Sequence, residues 1–228
     1  MRNRIYGIET EYGLLIKDAD FKLDPVQVAI RIKDHIFKSS KLGVLDQHYR
    51  ANDEPPENGG FLLNAGRIYL DMGHLEYASP ECFTLTDLVT YDRAGDTLIQ
   101  DAVEELGWRD SIGIIKNNVD LETNATFGCH ENYLVGRGFP FDDENLKLLS
   151  SFLVTRQIYC GAGRIGACNP HPFRDWEGTF VEETEANVDF QISQRADHIP
   201  NEFYRWVQYN RAIVNTRDEP LADPSKYR

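Results

Sequence analysis

Apolar and polar residues alternate from residue 4 to residue 12, so that Gly7, Glu9 and Glu11 share one face of an extended segment while Tyr6, Ile8, Thr10 and Tyr12 take the other. Two carboxylates therefore project side by side from one predicted strand. The period changes at Asp24-Pro25. Val28, Ala29, Ile32 and Ile36 form a helical apolar stripe behind an N-cap and a proline at the first helical position, and this helix closes near Gly43. Residues 45–60 are polar, and the run Asn52-Asp-Glu-Pro-Pro-Glu-Asn-Gly-Gly60 reads as a connection. Residues 61–72 return to a period of two and predict a second strand, with Arg67, Tyr69 and Asp71 on one face and Ile68, Leu70 and Met72 on the other. A turn is expected over residues 73–77. Thr86 then caps a long helix through Leu88, Leu98, Ala102 and Leu106, ended by Gly107, with Gly95 as its one poor helix former. Further strands are expected over residues 112–118 and 126–135, the second placing His130 and Asn132 on one face. Asp142 caps a helix running to Cys160, and the last strands are expected over residues 188–195 and 212–217.

Several strands joined by short turns, with three long helices, predict an α+β fold: an antiparallel sheet covered by helices on one face and carrying polar side chains on the other. With 228 residues and 41% hydrophobic content the chain can bury one sizeable core, and we expect a single catalytic unit over residues 1–228. The net charge of −13 argues against a nucleic-acid surface, which needs clustered Lys and Arg. There is no long apolar run and no basic-apolar leader, so neither membrane insertion nor secretion is supported and a cytoplasmic setting is expected. The four cysteines, Cys82, Cys129, Cys160 and Cys168, lack CxxC spacing and read as reduced thiols.

Acidic residues acquire meaning through their placement. Glu9, Glu11, Tyr69, Asp71, Glu76 and His130 all fall on polar faces or turns of predicted strands, and most offer hard oxygen ligands of the kind that bind Mg²⁺ beside a phosphate-bearing substrate. Arg67 adds a cation to the same face. Each residue alone is better explained as a solvated strand position or, for His130, a hydrogen-bonded core histidine. Their shared face is what points to a site. Gly161-Ala-Gly-Arg-Ile-Gly166 matches the dinucleotide fingerprint, yet a helical pattern precedes it where a strand is required, so it reads as a helix-terminating loop. The neighbours Cys129 and His130 point to opposite faces of a strand and cannot simply act as a nucleophile and base.

Arg4-Ile-Tyr-Gly-Ile-Glu-Thr-Glu-Tyr-Gly13, Asn64-Ala-Gly-Arg-Ile-Tyr-Leu-Asp71, Lys116-Asn-Asn118, Gly128-Cys-His-Glu-Asn-Tyr-Leu134, Phe152-Leu-Val-Thr-Arg-Gln157, Ser193-Gln-Arg-Ala-Asp197 and Asn215-Thr-Arg-Asp-Glu-Pro220 resemble, in order, the motifs of the Pup ligase and Pup deamidase/depupylase family. The resemblance implies a glutamine synthetase-like fold whose concave polar face carries ATP and Mg²⁺. It implies an activity that joins the C-terminal glutamate of a Pup-like protein modifier to lysines of target proteins through an acyl phosphate. Position by position it implies Glu9, Tyr69 and Glu76 as magnesium ligands, Arg67 and Ser79 as nucleotide contacts, and Asp71 as the catalytic aspartate. Face geometry and the wider superfamily add Glu11 and His130 to the metal set, and Arg217 and Arg195 are expected to stabilise the phosphate and acyl phosphate.

Both branches of the family share these residues. Ile8-Glu-Thr-Glu11, Gly128-Cys-His-Glu131 and the short connection from Glu11 to Asp71 are ligase-like, whereas the tight Asp71-to-Glu76 spacing and Ser79-Pro-Glu-Cys82 are hydrolase-like. Ligation is the expected activity, with deamidation or depupylation, or binding without turnover, as alternatives. The family continues beyond Tyr227-Arg228 into further strands and a small C-terminal domain, so a missing C-terminal half or a partner subunit is expected to complete the fold.

Overall fold

The computed structural model describes residues 5–49, 54–116, 127–136, 138–140, 142–161, 163–165, 173–174, 180–181, 190–191, 203–208 and 211–216. In chain order the elements are β1 (Tyr6–Ile16), α1 (Pro25–Asp34) continuing into a π-helical turn (His35–Ser39), β2 (Gly43–Leu45), β3 (Gly59–Leu62), β4 (Arg67–Asp71), β5 (His74–Ala78), α2 (Leu85–Glu105), β6 (Ile112–Ile115), β7 (Cys129–Val135) and α3 (Asp143–Cys160). Then follow β8 (Arg164–Ile165), β9 (Phe173–Arg174), β10 (Phe180–Val181), β11 (Phe190–Gln191), β12 (Phe203–Gln208) and β13 (Arg211–Thr216). One nine-stranded sheet dominates, ordered β12-β13-β7-β1-β5-β4-β3-β2, with β6 paired to the far end of β1. Its pairings are antiparallel throughout.

The alternation of β1 appears as predicted. Ile8, Thr10 and Tyr12 are buried beneath the helices, and Glu9 and Glu11 occupy the opposite face. Asp24 caps α1 through a complete capping box with Gln27, and Val28, Ala29 and Ile32 enter a core shared with Tyr12, Ile68, Leu75, Tyr77, Ile99 and Val103. On the same side, Arg156 of α3 reaches Glu131 of β7, both buried. Cys82 and Cys129 are buried free thiols. No described helix is long and apolar enough to cross a membrane.

Several elements differ from the sequence expectation. Residues 61–72 are not one strand, because the Asn64 side chain accepts from the Gly66 N–H at 2.9 Å and Ala65 adopts φ 68°, folding β3 back onto β4. The expected turn over residues 73–77 is strand β5. Met72 and Gly73 alone make the reversal, both with positive φ (47° and 91°), the geometry of a two-residue hairpin turn matched to strand twist. Thr84, not Thr86, caps α2, accepting the Asp87 N–H at 3.0 Å. Strands β2, β8, β9, β10 and β12 were not expected at all, and of the strand expected over residues 188–195 the described part is β11. Helix α3 runs up to Cys160, so a helix does precede Gly161 as expected, while Arg164 and Ile165, expected in a loop, form the short strand β8.

Gly95 has a packing reason. A Cβ there would lie 2.4 Å from Cδ1 of the buried Tyr77 ring, so α2 approaches the sheet closely only because the side chain is absent. Gly95→Ala should therefore lower stability by about 1–3 kcal/mol of overpacking, less the ~1 kcal/mol alanine gains in helix propensity. Denaturant unfolding should show an earlier midpoint with an unchanged slope.

Candidate active site

Strand register assembles the polar face in rows. Phe61 of β3 pairs with Arg67 of β4, Arg67 with Ala78 of β5, Ala78 with Glu9 of β1, and Glu9 with His130 of β7. The next row runs from Tyr69 to Glu76 to Glu11. At the hairpin end Asp71 faces His74 across the two-residue turn. Glu9, Tyr69, Asp71, Glu76, Glu11, His130 and Arg67 are thus brought to one patch of one sheet face. Because β5 is a strand, Glu76 owes its place to the ladder and not to a returning turn.

Four carboxylates in so small an area repel one another, and like charges directly opposite in a sheet are destabilising. Glu76 is almost wholly buried, and its carboxyl is pushed up to about 10 by burial first and then by Glu9, Glu11 and Asp71. Glu9 is raised by burial too, with His130 opposing and Glu11 and Asp71 adding to the shift. Such a row is held together by protons, or by cations in their place. Among the described residues no three His, Cys, Asp or Glu side chains converge closely enough to hold a metal ion unaided. The donor set nevertheless fits Mg²⁺, which takes a few carboxylate oxygens and completes its shell with water and substrate phosphates.

The individual groups are not equally available. Glu11 Oε2 accepts the Gly128 N–H at 2.8 Å and lies 3.3 Å from His74 Nδ1, while Oε1 lies 3.5 Å from His130 Nε2. The Ser79 hydroxyl accepts the Ile8 N–H at 3.0 Å and donates to the Pro80 carbonyl at 3.1 Å, clipping β1 to the end of β5. Beside it, Gly7, Glu9, Ser79, Glu81, Asn132 and Leu134 line a hollow of about 200 Å³. The Arg67 guanidinium lies over the Tyr69 ring at 4.5 Å and near the Phe61 ring at 5.7 Å, and it is ion-paired with Glu54. Arg195 and Arg217 lie outside the described residues.

Sequence reasoning missed His74 and Glu54. His74 was hidden by the assignment of residues 73–77 to a turn, and the Met72-Gly73 dipeptide between two alternating runs was the signal that could have revealed it. Glu54 sits in the polar connection and reaches Arg67 from 13 residues away, a contact that carries no local pattern.

Known proteins resemble this chain along its length. The family model described as Pup-ligase protein matches residues 4–228. A Pup–protein ligase of Corynebacterium glutamicum strain R is 40% identical over 238 residues, covering 100% of this chain and 44% of the relative. One from Mycolicibacterium vanbaalenii is 38% identical over 237 residues, covering 100% of this chain and 45% of the relative. The chain thus spans less than half the length of these relatives. Among solved structures, the crystal structure of the complex between prokaryotic ubiquitin-like protein Pup and its ligase PafA superimposes with a TM-score of 0.70 at 33% identity, over 95% of this chain and 41% of that one. In fold and along its whole sequence, the chain belongs to the Pup ligase family.

Proposed function

We propose that residues 1–228 form the nucleotide- and metal-binding catalytic domain of an ATP-dependent isopeptide ligase, joining the C-terminal glutamate side chain of a Pup-like modifier to lysines of target proteins. The observation that carries this reading is the carboxylate row beside Arg67 in a chain of the Pup ligase family. The relatives named above are ligases, which favours ligation over deamidation or depupylation. Its setting is the cytoplasm, where ATP is supplied.

Glu9, Tyr69 and Glu76 would hold Mg²⁺, with Glu11 and His130 behind them. Bound there, Mg²⁺ supplies positive charge that neutralises the carboxylates and the phosphates. Arg67 and Ser79 contact the nucleotide, and Arg195 and Arg217 stabilise the transferred phosphoryl group. The modifier's γ-carboxylate takes the γ-phosphoryl group of ATP, releasing ADP and leaving an acyl phosphate. Asp71 accepts a proton from the lysine ammonium, the free amine attacks the acyl carbon, and phosphate departs carrying the second proton lost from nitrogen.

Incubating the protein with Mg·ATP, a modifier ending in glutamate and a lysine-bearing target should yield a conjugate and one ADP per bond. Ammonia release from a glutamine-ended modifier, or cleavage of conjugates, would assign the hydrolase branch instead. Mg·ATP binding without ADP release under any modifier would assign a binding role. Glu9→Gln keeps the shape of the side chain and removes its charge, so Mg·ATP affinity should fall by at least ~10–100-fold, as losses around metal sites typically do. Titration calorimetry of the variant checks this.

A further inference from the structure

We propose that Glu54 is an internal competitor for the nucleotide phosphates at Arg67, a contact that must open before nucleotide binds; this rests on the nucleotide reading given above. Arg67 is fixed from below. Its backbone is paired on both sides, to Phe61 and to Ala78, and its guanidinium plane is set by the Tyr69 ring at 4.5 Å. A guanidinium held in this way presents a planar fork of donors that suits a doubly accepting anion such as a phosphate.

Glu54 fills that fork incompletely. It engages one terminal nitrogen, and among the described residues Arg67 Nε is buried without a hydrogen-bond partner. A buried donor left unsatisfied is unfavourable, and a phosphate presenting two oxygens along that edge would satisfy it. Glu54 also differs from Arg67 in its attachment. It belongs to no strand or helix but to the connection between β2 and β3, followed by Pro55 and Pro56, so it can withdraw without breaking the ladder. While in place it adds a carboxylate beside a face already crowded with Glu9, Glu76 and Asp71. Nucleotide affinity is then reduced by the fraction of molecules in which Arg67 is engaged by Glu54.

The sign of one substitution decides the matter. Glu54→Gln should bind Mg·ATP about 1.5- to fivefold more tightly than the unaltered protein, the range expected for removing one partly exposed ion pair. Glu57→Gln removes the same charge from the same connection, but the Glu57 carboxylate lies beside Lys38 at 3.5 Å and Gln47 at 3.3 Å, so its affinity should not change. Calorimetric titration of the three proteins with Mg·ATP reads all of this. Weaker binding by Glu54→Gln would make Glu54 a support for Arg67, and equal tightening in both variants would reduce the effect to overall charge. Either result overturns the inference and leaves nucleotide binding standing. Failure of all three proteins to bind Mg·ATP overturns the nucleotide reading and this inference with it.

Discussion

Asp71→Asn is expected to lower the rate of conjugate formation by about 10²–10⁴-fold, the usual loss when a general base is removed. A lysine ammonium has an unperturbed pKa of about 10.4, so near pH 7 only about one side chain in 10³ carries the free amine that can attack an acyl carbon. Asp71 is placed to accept its proton. It lies on the same face as Arg67 and Tyr69, at the exposed end of β4, where the two-residue turn sets it opposite His74. Asparagine keeps the size and hydrogen-bonding capacity of the side chain, so Mg·ATP affinity should stay nearly unchanged, in contrast to Glu9→Gln. A second readout separates base from ligand. Hydroxylamine is already neutral at pH 7 and attacks without first being deprotonated, its lost proton leaving with the phosphate, so trapping of the acyl phosphate by hydroxylamine should survive in the variant while transfer to lysine does not. Loss of nucleotide binding with residual turnover intact would make Asp71 a ligand or a structural residue and end the assignment.

What could be read from the sequence was what is local. The period of two in β1 follows from Ile8, Thr10 and Tyr12 being buried and Glu9 and Glu11 not, and the cap of α1 follows from Asp24, Pro25 and Gln27 within four positions. The Thr84 cap was equally local, since Asp87 stands at the N3 position, but the nearby Thr86 competed for the same role. Register was not legible. Nothing in residues 73–77 announces that Glu76 will face Glu11 across 65 residues of chain, because that pairing is decided by the Met72-Gly73 turn and by burial of Leu75 and Tyr77 on the reverse face. Gly95 was visible only as an anomaly, and its reason, the Tyr77 ring, lies on another element. Buried charge was hidden for the same reason. Asp92 and Asp96 stand on one helix, and their partners Thr10, Tyr12 and Lys116 come from other elements far along the chain.

That hidden network carries the largest stability effect expected. Lys116 Nζ lies 2.9 Å from Asp92 Oδ2 and 2.7 Å from Asp96 Oδ1, Thr10 donates to Asp92 at 3.0 Å, and Tyr12 donates to Asp96 at 2.9 Å. Asp92 is completely buried. Burial raises its pKa above 3.8, against the pull of Lys116 and Thr10; burial would lower that of Lys116, but the two aspartates outweigh it and the lysine is held protonated. Lys116→Met keeps a long side chain and removes the cation, leaving Asp92 buried beside Asp96 with no ammonium, which should cost about 3–5 kcal/mol. The loss should depend on pH with a definite sign. A carboxyl whose folded pKa is raised keeps its proton in the folded state after the unfolded chain has released it, so stability falls as pH rises from about 3.8 to the folded value. Without Lys116 that folded value rises further and the window widens upward. The deficit of the variant should therefore be small near pH 4 and greatest near neutrality, and Asp92→Asn in the same chain should recover much of it by removing the stranded charge. Unfolding curves at both pH values for the single and double variants measure this. A pH-independent loss below about 1 kcal/mol would place the pair among ordinary surface salt bridges. The alternation of β1 that sends Thr10 and Tyr12 into this network also turns Glu9 and Glu11 toward the carboxylate row, so the two faces of one strand tie the anchoring of the sheet to the site above it.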